Sequence, residues 1–237
     1  MPYYYYYFDP TYVLVLLGAV LCLLASARVK TTFNKYSQHR SMSGMTGAEA
    51  AQRLLHAAGI FDVTIHHVSG SMTDHYNPAK RTLALSDTVY GSTSVAAIGV
   101  AAHECGHAIQ HNNGYAPLSF RTVLVPIANI GSTLAWPMIL VGLLFTRNTG
   151  TVFINLGILL FSVAVLFQLV TLPVEFNASS RALKMLETQG ILSESELPYT
   201  KKVLKAAAMT YLASAAAGIL QLLRLILLFG GRGRRND

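Results

Sequence analysis

Charge is scarce in this chain. Of its 237 residues only 12% are Asp, Glu, Lys or Arg, 11 acidic and 18 basic, where a soluble domain carries about 25%. So few ionic groups cannot coat a globule of this size. Disorder is excluded as well, because it requires low hydrophobicity and the chain is 52% hydrophobic. Two cysteines, Cys22 and Cys105, cannot build a disulfide framework. There is no internal repeat and no glycine-rich phosphate loop. The net charge of +7 suits either nucleic acid or an anionic membrane face. The basic residues border apolar stretches and form no basic domain of their own, so the expected partner is a lipid bilayer and no nucleic acid.

Long apolar runs are what the chain has in abundance. About 20 such residues cross a bilayer. Runs at 12–27, 123–145 and 152–172 qualify. A fourth, 206–229, is apolar but carries a polar stripe at helical spacing: Thr210, Ser214, Gln221 and Arg224. Ser214 and Gly218 form a small-xxx-small pair suited to close helix contact. This run is either a fourth span or a helix embedded on one membrane face. The first run does not read as a conventional secretory signal, since Asp9 and no Lys or Arg precede it, while Arg28, Lys30, Lys35 and Arg40 follow it. By the positive-inside rule the N-terminus is outside and Arg28 onward is cytoplasmic. The tyrosine run at 3–7 reads as an interfacial anchor or a low-complexity tail. Runs two and three form a hairpin with its connection at 146–151 outside, so residues 28–120 and 173–205 share the cytoplasmic side. Arg181, Lys184, Lys201, Lys202 and Lys205 agree with that. Full crossing of the fourth run puts Arg232, Arg234 and Arg235 outside, against the rule.

The expected organisation is an N-terminal anchor (1–27), a catalytic segment (28–120), a transmembrane hairpin (121–172), a helix with a candidate metal-ligating acid (173–205), and a C-terminal hydrophobic helix with a basic tail (206–237). Within 28–120, Thr46-x-x-Glu49 is a capping box before an amphipathic run of Ala50, Ala51, Leu54, Leu55 and Ala58, closed by Gly59. Residues 61–68 alternate and read as a strand. Asn77-Pro78 marks a turn. Residues 81–85 read as a second strand paired with the first, an edge strand to which an extended peptide can add. Ser92 to Ser94 offer N-caps for a helix over 95–111, stopped by Asn112-Asn113-Gly114. The fold class is α+β, predominantly helical, in a multi-pass membrane protein with three to four transmembrane helices.

That helix contains His103-Glu104-Cys105-Gly106-His107. His103 and His107 lie one turn apart on one face, the spacing at which two imidazoles hold one zinc ion. Glu104, a third of a turn away, reaches a water on the metal without being a ligand. With eight His and six Glu in the chain, chance yields this pattern in roughly one such sequence in 150. A catalytic zinc needs a third protein ligand. The residue six beyond His107 is Asn113, so the metzincin pattern is absent. No Asp-Gly pair follows, and only about nine apolar residues precede His103, too few to span, which weakens an intramembrane site-2-type reading. Among later acids Glu175 is favoured. It sits in Leu172-Pro173-Val174-Glu175-Phe176-Asn177-Ala178-Ser179, where Pro173 can open a new helix. Glu187, Glu194 and Glu196 lie in a polar stretch that reads as solvated surface.

These residues carry a resemblance. His103 to His107 followed by Ala108-Ile109-Gln110-His111, the Thr73-Asp74-His75-Tyr76-Asn77-Pro78 segment, and Leu172 through Ser179 resemble the membrane-bound neutral zinc metallopeptidase (YugP-like) family, from the first span through the fourth apolar run. The resemblance implies a small zincin-like domain with a gluzincin-type site. His103, His107 and Glu175 would be the ligands of one Zn2+ per chain, and Glu104 the general base. It also implies a distant similarity to membrane quality-control proteases of the HtpX kind. Those carry an Asp four residues after the ligand Glu; here that position is Ser179, with Asn177 nearby, and either is a candidate to orient a zinc histidine. His111 orients a ligand, contacts substrate, or is a helix C-terminal histidine favoured by the dipole. His75 and Tyr76 are turn residues or oxyanion donors. Tyr211 joins them if the last helix folds back, and Cys105 is a small packing residue. The expected function is zinc-dependent endopeptidase action on segments of membrane or misfolded proteins, in the cell membrane with the site facing the cytoplasm. The rivals are a non-enzymatic zinc-binding membrane protein and a site-2-type protease. The oligomeric state is not legible.

Overall fold

The computed structural model describes residues 9–145 and 147–230, less the side chains of 147 and 148. The tyrosine run at 3–7 and Arg232, Arg234 and Arg235 lie outside the described residues. In chain order the elements are α1 (Tyr12–Tyr36), α2 (Gly47–Ala57), β1 (Thr64–Val68), β2 (His75–Asn77), β3 (Thr82–Ser86), α3 (Val95–Asn112), α4 (Ala116–Leu144), α5 (Arg147–Thr188) and α6 (Leu197–Phe229). The chain is predominantly helical and multi-pass: α1, α4, α5 and α6 are each long and apolar enough to cross a membrane. Contacts divide it into two units, one of residues up to 24, 124–169 and from 212, the other of 25–123 and 170–211.

The first unit turns large apolar side chains outward, Leu16, Leu23, Leu144 and Leu159 among them, as a surface bathed in hydrocarbon requires. With lipid as solvent, burial of apolar area no longer favours helix contact, and small residues take over by letting backbones approach. A Cβ on Gly157 of α5 would stand 2.8 Å from the Ala135 carbonyl oxygen of α4. One on Gly218 of α6 would stand 2.5 Å from Gln168 Oε1 of α5. Gly218 is buried but Ser214 is exposed, so the small-xxx-small pair acts through its glycine alone. A Cβ on Gly18 of α1 would lie 3.0 Å from Ala217 Cβ of α6. Arg224 is 3.4 Å from Asp9 and donates from Nε to Thr11 Oγ1 at 3.2 Å. Because 18 meets 217 and 9 meets 224, α1 and α6 run antiparallel, and the awkward fourth run is a fourth candidate span whose arginine is neutralised by an acid.

The second unit holds the α+β part. Thr46 and Glu49 close the expected reciprocal cap, and the inward face of α2 buries Ala50, Ala51, Leu54 and Leu55. Gly59 takes φ +72° just past the helix, a conformation that costs glycine least. The sheet has order β1-β3-β2, with β1 parallel and β2 antiparallel to β3. β3 is therefore central, not an edge, which corrects the expectation for residues 81–85. Four of its five residues are buried, as a strand paired on both sides and covered demands. The first strand begins at Thr64, leaving Phe61 74% exposed. Asn77 accepts from the backbone N–H groups of Ala79 and Lys80, the expected turn, but it also closes the unforeseen strand β2. Ser94 caps α3, accepting from Ala97 N–H at 3.2 Å, and most of α3 is buried.

One further correction concerns Pro173. No new helix opens there; α5 runs unbroken for 42 residues with Pro173 inside it. Proline removes one backbone donor, yet in protein or lipid surroundings the remaining ladder keeps the carbonyls satisfied better than a break would.

Candidate metal centre

Glycine at 106 lets α3 and α5 meet. A Cβ there would stand 2.5 Å from the Ala178 carbonyl oxygen, so the helices touch backbone to backbone between His103 and His107. That approach brings the Glu175 carboxylate onto the histidine face. Glu175 Oε2 is 3.2 Å from His103 Nε2 and 3.6 Å from His107 Nε2. All three donor atoms lie within 4.8 Å of one another. Donors bound at 2.0–2.1 Å to one tetrahedral zinc stand about 3.3 Å apart, so two edges of the group are already near that length. The carboxylate is almost fully enclosed, its side chain 3% exposed. An acid so desolvated needs cationic or metallic company. Glu187 and Glu194 do not join the group. Glu196 does not either, and it is no solvated surface residue: it is buried, accepting from the Met42 and Ser193 backbone N–H groups.

A relay of hydrogen bonds fixes which nitrogen of His107 is free. The Arg181 guanidinium can only donate, and its Nε meets Asn177 Oδ1 at 2.7 Å. The same oxygen accepts from Gln110 Nε2 at 3.0 Å, and that amide group also donates to the Val174 carbonyl at 2.8 Å. Gln110 therefore turns Oε1 to His107 Nδ1, 3.0 Å away. An amide oxygen only accepts, so Nδ1 carries a proton, and Nε2, on the Glu175 side of the ring, is the nitrogen left for a metal. That is the tautomer a metal requires. On His103 the corresponding partner of Nδ1 is the Ser179 hydroxyl at 3.1 Å. Burial opposes protonation of His107, but the bond to Glu175 and the charges of Glu104 and Glu175 outweigh it, raising its pKa above the ordinary value. A proton on Nε2 and a metal ion there exclude one another.

Glu104 stands outside the donor group. Its Oε2 accepts the Tyr76 backbone N–H at 2.9 Å, so Glu104 is tied to the outer strand β2. The Tyr76 hydroxyl is bonded to His111 Nδ1 at 2.9 Å. Tyr211 approaches from α6 and interacts with Glu175. His75 does not reach the site: it is exposed, and its ring is bonded to the Thr73 carbonyl oxygen. Cys105 is buried, its thiol pushed up by desolvation, consistent with packing. Three participants escaped the sequence reading. Gln110 and Arg181 complete the relay, and Arg121 meets Glu175 Oε1 at 3.3 Å. The only local signals were spacings: Gln110 three residues after His107, Arg181 four after Asn177.

Two imidazole Nε2 atoms converging on a buried carboxylate form a group that could hold a metal ion, on a chain with four helices long and apolar enough to cross a membrane; together they point to the class of membrane metallopeptidases. Comparison with known proteins agrees. The profile of the family described as "Putative neutral zinc metallopeptidase" matches residues 11–230, and the chain belongs to that family. It is similar to the "Putative membrane protease YugP" of Bacillus subtilis (strain 168), 44% identical over 209 residues, covering 88% of this chain and 92% of that protein. No solved structure matches. Family membership implies zinc, and His103, His107 and Glu175 are the group that could hold it.

Proposed function

We propose that the chain is a membrane-embedded, zinc-dependent endopeptidase that cleaves extended segments of membrane or misfolded proteins, with its site on the cytoplasmic side. One zinc ion per chain would be held by His103, His107 and Glu175. The observation that carries this is the division of labour on α3: both imidazole Nε2 atoms converge on Glu175, while Glu104 is kept out of the group by the Tyr76 N–H. Zinc bound there supplies a Lewis acid that polarises a carbonyl and acidifies water. Glu104, held by one oxygen, has the other free to take a proton from the attacking water and pass it to the leaving amine. Arg121 occupies the second oxygen of Glu175 and keeps that carboxylate oriented. Tyr211 and His111 flank the site as candidate oxyanion or substrate contacts, and Ser179 and Gln110 hold the rings. β2 is an outer strand where β3 is paired on both sides, and a polypeptide laid along it would pass beside Glu104. The site-2-type alternative would need the histidine helix to be a span, and α3 is not among the four candidate spans of the described residues.

The test is Glu104→Gln in the full-length protein in detergent or lipid discs. Zinc content should stay at one per chain, while hydrolysis of an unfolded membrane-protein substrate falls by at least 10^2-fold, the scale of general-base catalysis. Loss of zinc would make Glu104 a ligand. Unchanged hydrolysis would reject the mechanism, and a zinc-loaded parent without hydrolysis would favour the non-enzymatic reading.

A further inference from the structure

Where α1 ends and α6 begins, the second unit forms an open, solvent-facing cavity of about 560 Å3 whose polar wall is made by Arg28, Thr31, Lys35, Tyr36, Lys202 and Lys205. Four cations from two helices share it, and no acid lines it. None of the four takes part in an ion pair among the described residues. Four like charges around one space favour the entry of an anion. Two of the three ammonium groups lie over aromatic rings: Lys35 Nζ is 5.6 Å from the Tyr36 ring centre, and Lys202 Nζ is 5.9 Å from those of both Tyr36 and Tyr199. The two rings stack at 5.3 Å, a platform that restrains the lysines. Ala206 and Met209 give the cavity an apolar wall toward the hydrophobic part of α6.

Topology accounts for basic residues at a membrane border, but it needs them anywhere on that side. It does not need them gathered around one cavity, restrained by aromatic rings and continuous with an apolar wall. That combination matches a molecule with a phosphate at one end and hydrocarbon at the other. We propose that this cavity is a binding site for the headgroup phosphate of an anionic phospholipid. The cations and the Thr32 hydroxyl would face the phosphate, and Ala206 and Met209 the glycerol and first acyl carbons. Phosphate chemistry is shared with free inorganic phosphate, so the test separates the two.

The full-length protein in mild detergent is titrated with phosphatidylglycerol, phosphatidylcholine or inorganic phosphate, and bound species are counted by native mass spectrometry. Phosphatidylglycerol should be retained in preference to phosphatidylcholine, and equimolar inorganic phosphate should not displace it. Each cation removed should weaken retention about fivefold, so Lys202→Gln with Lys205→Gln should cost about 25-fold. Lys30→Gln with Lys201→Gln removes the same charge outside the cavity and should cost less than about twofold. Lys202→Arg with Lys205→Arg should retain the lipid, which separates loss of charge from loss of fold. Equal losses in both glutamine pairs would overturn the site in favour of a diffuse basic surface. Equal retention of the two lipids would overturn it as well, and displacement by inorganic phosphate would make the ligand a free anion.

Discussion

Gln110→Met tests whether the relay behind His107 governs metal binding. Methionine keeps the length of the side chain but cannot accept from His107 Nδ1–H, which now has its partner at 3.0 Å. The imidazole side chain is only 10% exposed, so water cannot replace the lost acceptor. An unsatisfied buried donor costs about 1–3 kcal/mol. Part of that is avoided if the ring adopts the other tautomer, but this puts the proton on Nε2, where the metal would sit. Either way zinc binding bears the cost. Loss of a partner behind a metal-bound histidine lowers affinity about 10- to 100-fold, or about 1.4–2.7 kcal/mol, which agrees with the donor penalty. Asn177→Ala should cost less, because Gln110 keeps its bond to the Val174 carbonyl at 2.8 Å, and Arg181→Met less again. The assay is competition for zinc against a chromophoric chelator in the full-length protein, with circular dichroism confirming helix content. Affinity within twofold of the parent in a folded Gln110→Met protein would refute the assignment of the His107 tautomer.

Two further outcomes follow from packing and charge. Gly106→Ala places a methyl 2.5 Å from the Ala178 carbonyl oxygen, which only backbone separation can relieve. Stability should fall by about 1–3 kcal/mol or more, with zinc content falling in parallel, both read on the same purified sample; full zinc loading would show that the α3–α5 approach is dispensable. Glu196 has its pKa held below the ordinary value: burial alone would raise it, but the Ser193 and Met42 donors outweigh burial. A depressed folded-state pKa stabilises above the unfolded value, about 4.3, and that stability disappears as pH falls through the folded one. Melting temperatures from pH 7 to 3 should therefore decline more gently in Glu196→Gln than in the parent, from a lower starting point; parallel curves would reject the linkage.

What could be read in advance was local. The capping box at Thr46 and Glu49, the helix through His103 and His107 and the apolar runs depend on neighbours within one or two turns, and all are present. Strand β2 is only three residues long, and its outer edge is held by Glu104, 28 residues away in sequence; no alternation of its own announces it. β3 was misread as an edge because strand order follows from crossovers, not from the strand's own residues. Pro173 looked like a helix start because its usual penalty assumes water ready to take the freed carbonyl. Glu196 looked solvated because its neighbours are serines, yet the Met42 N–H reaches it across 154 positions. Glu175 could be singled out by its acid type and setting. Gln110 and Arg181 could not, since their roles exist only once α3 lies on α5.

The unbroken course of α5 also decides how this protein can be handled. The apolar run expected at 152–172 and the carboxylate at 175 belong to one continuous helix. Trimming away the greasy part to obtain a water-soluble fragment would leave Glu175 at a frayed terminus, without the helical frame that aims it at the imidazoles. A soluble version would have to be made by repainting the outward leucines and valines with polar residues along the intact helix, not by cutting it.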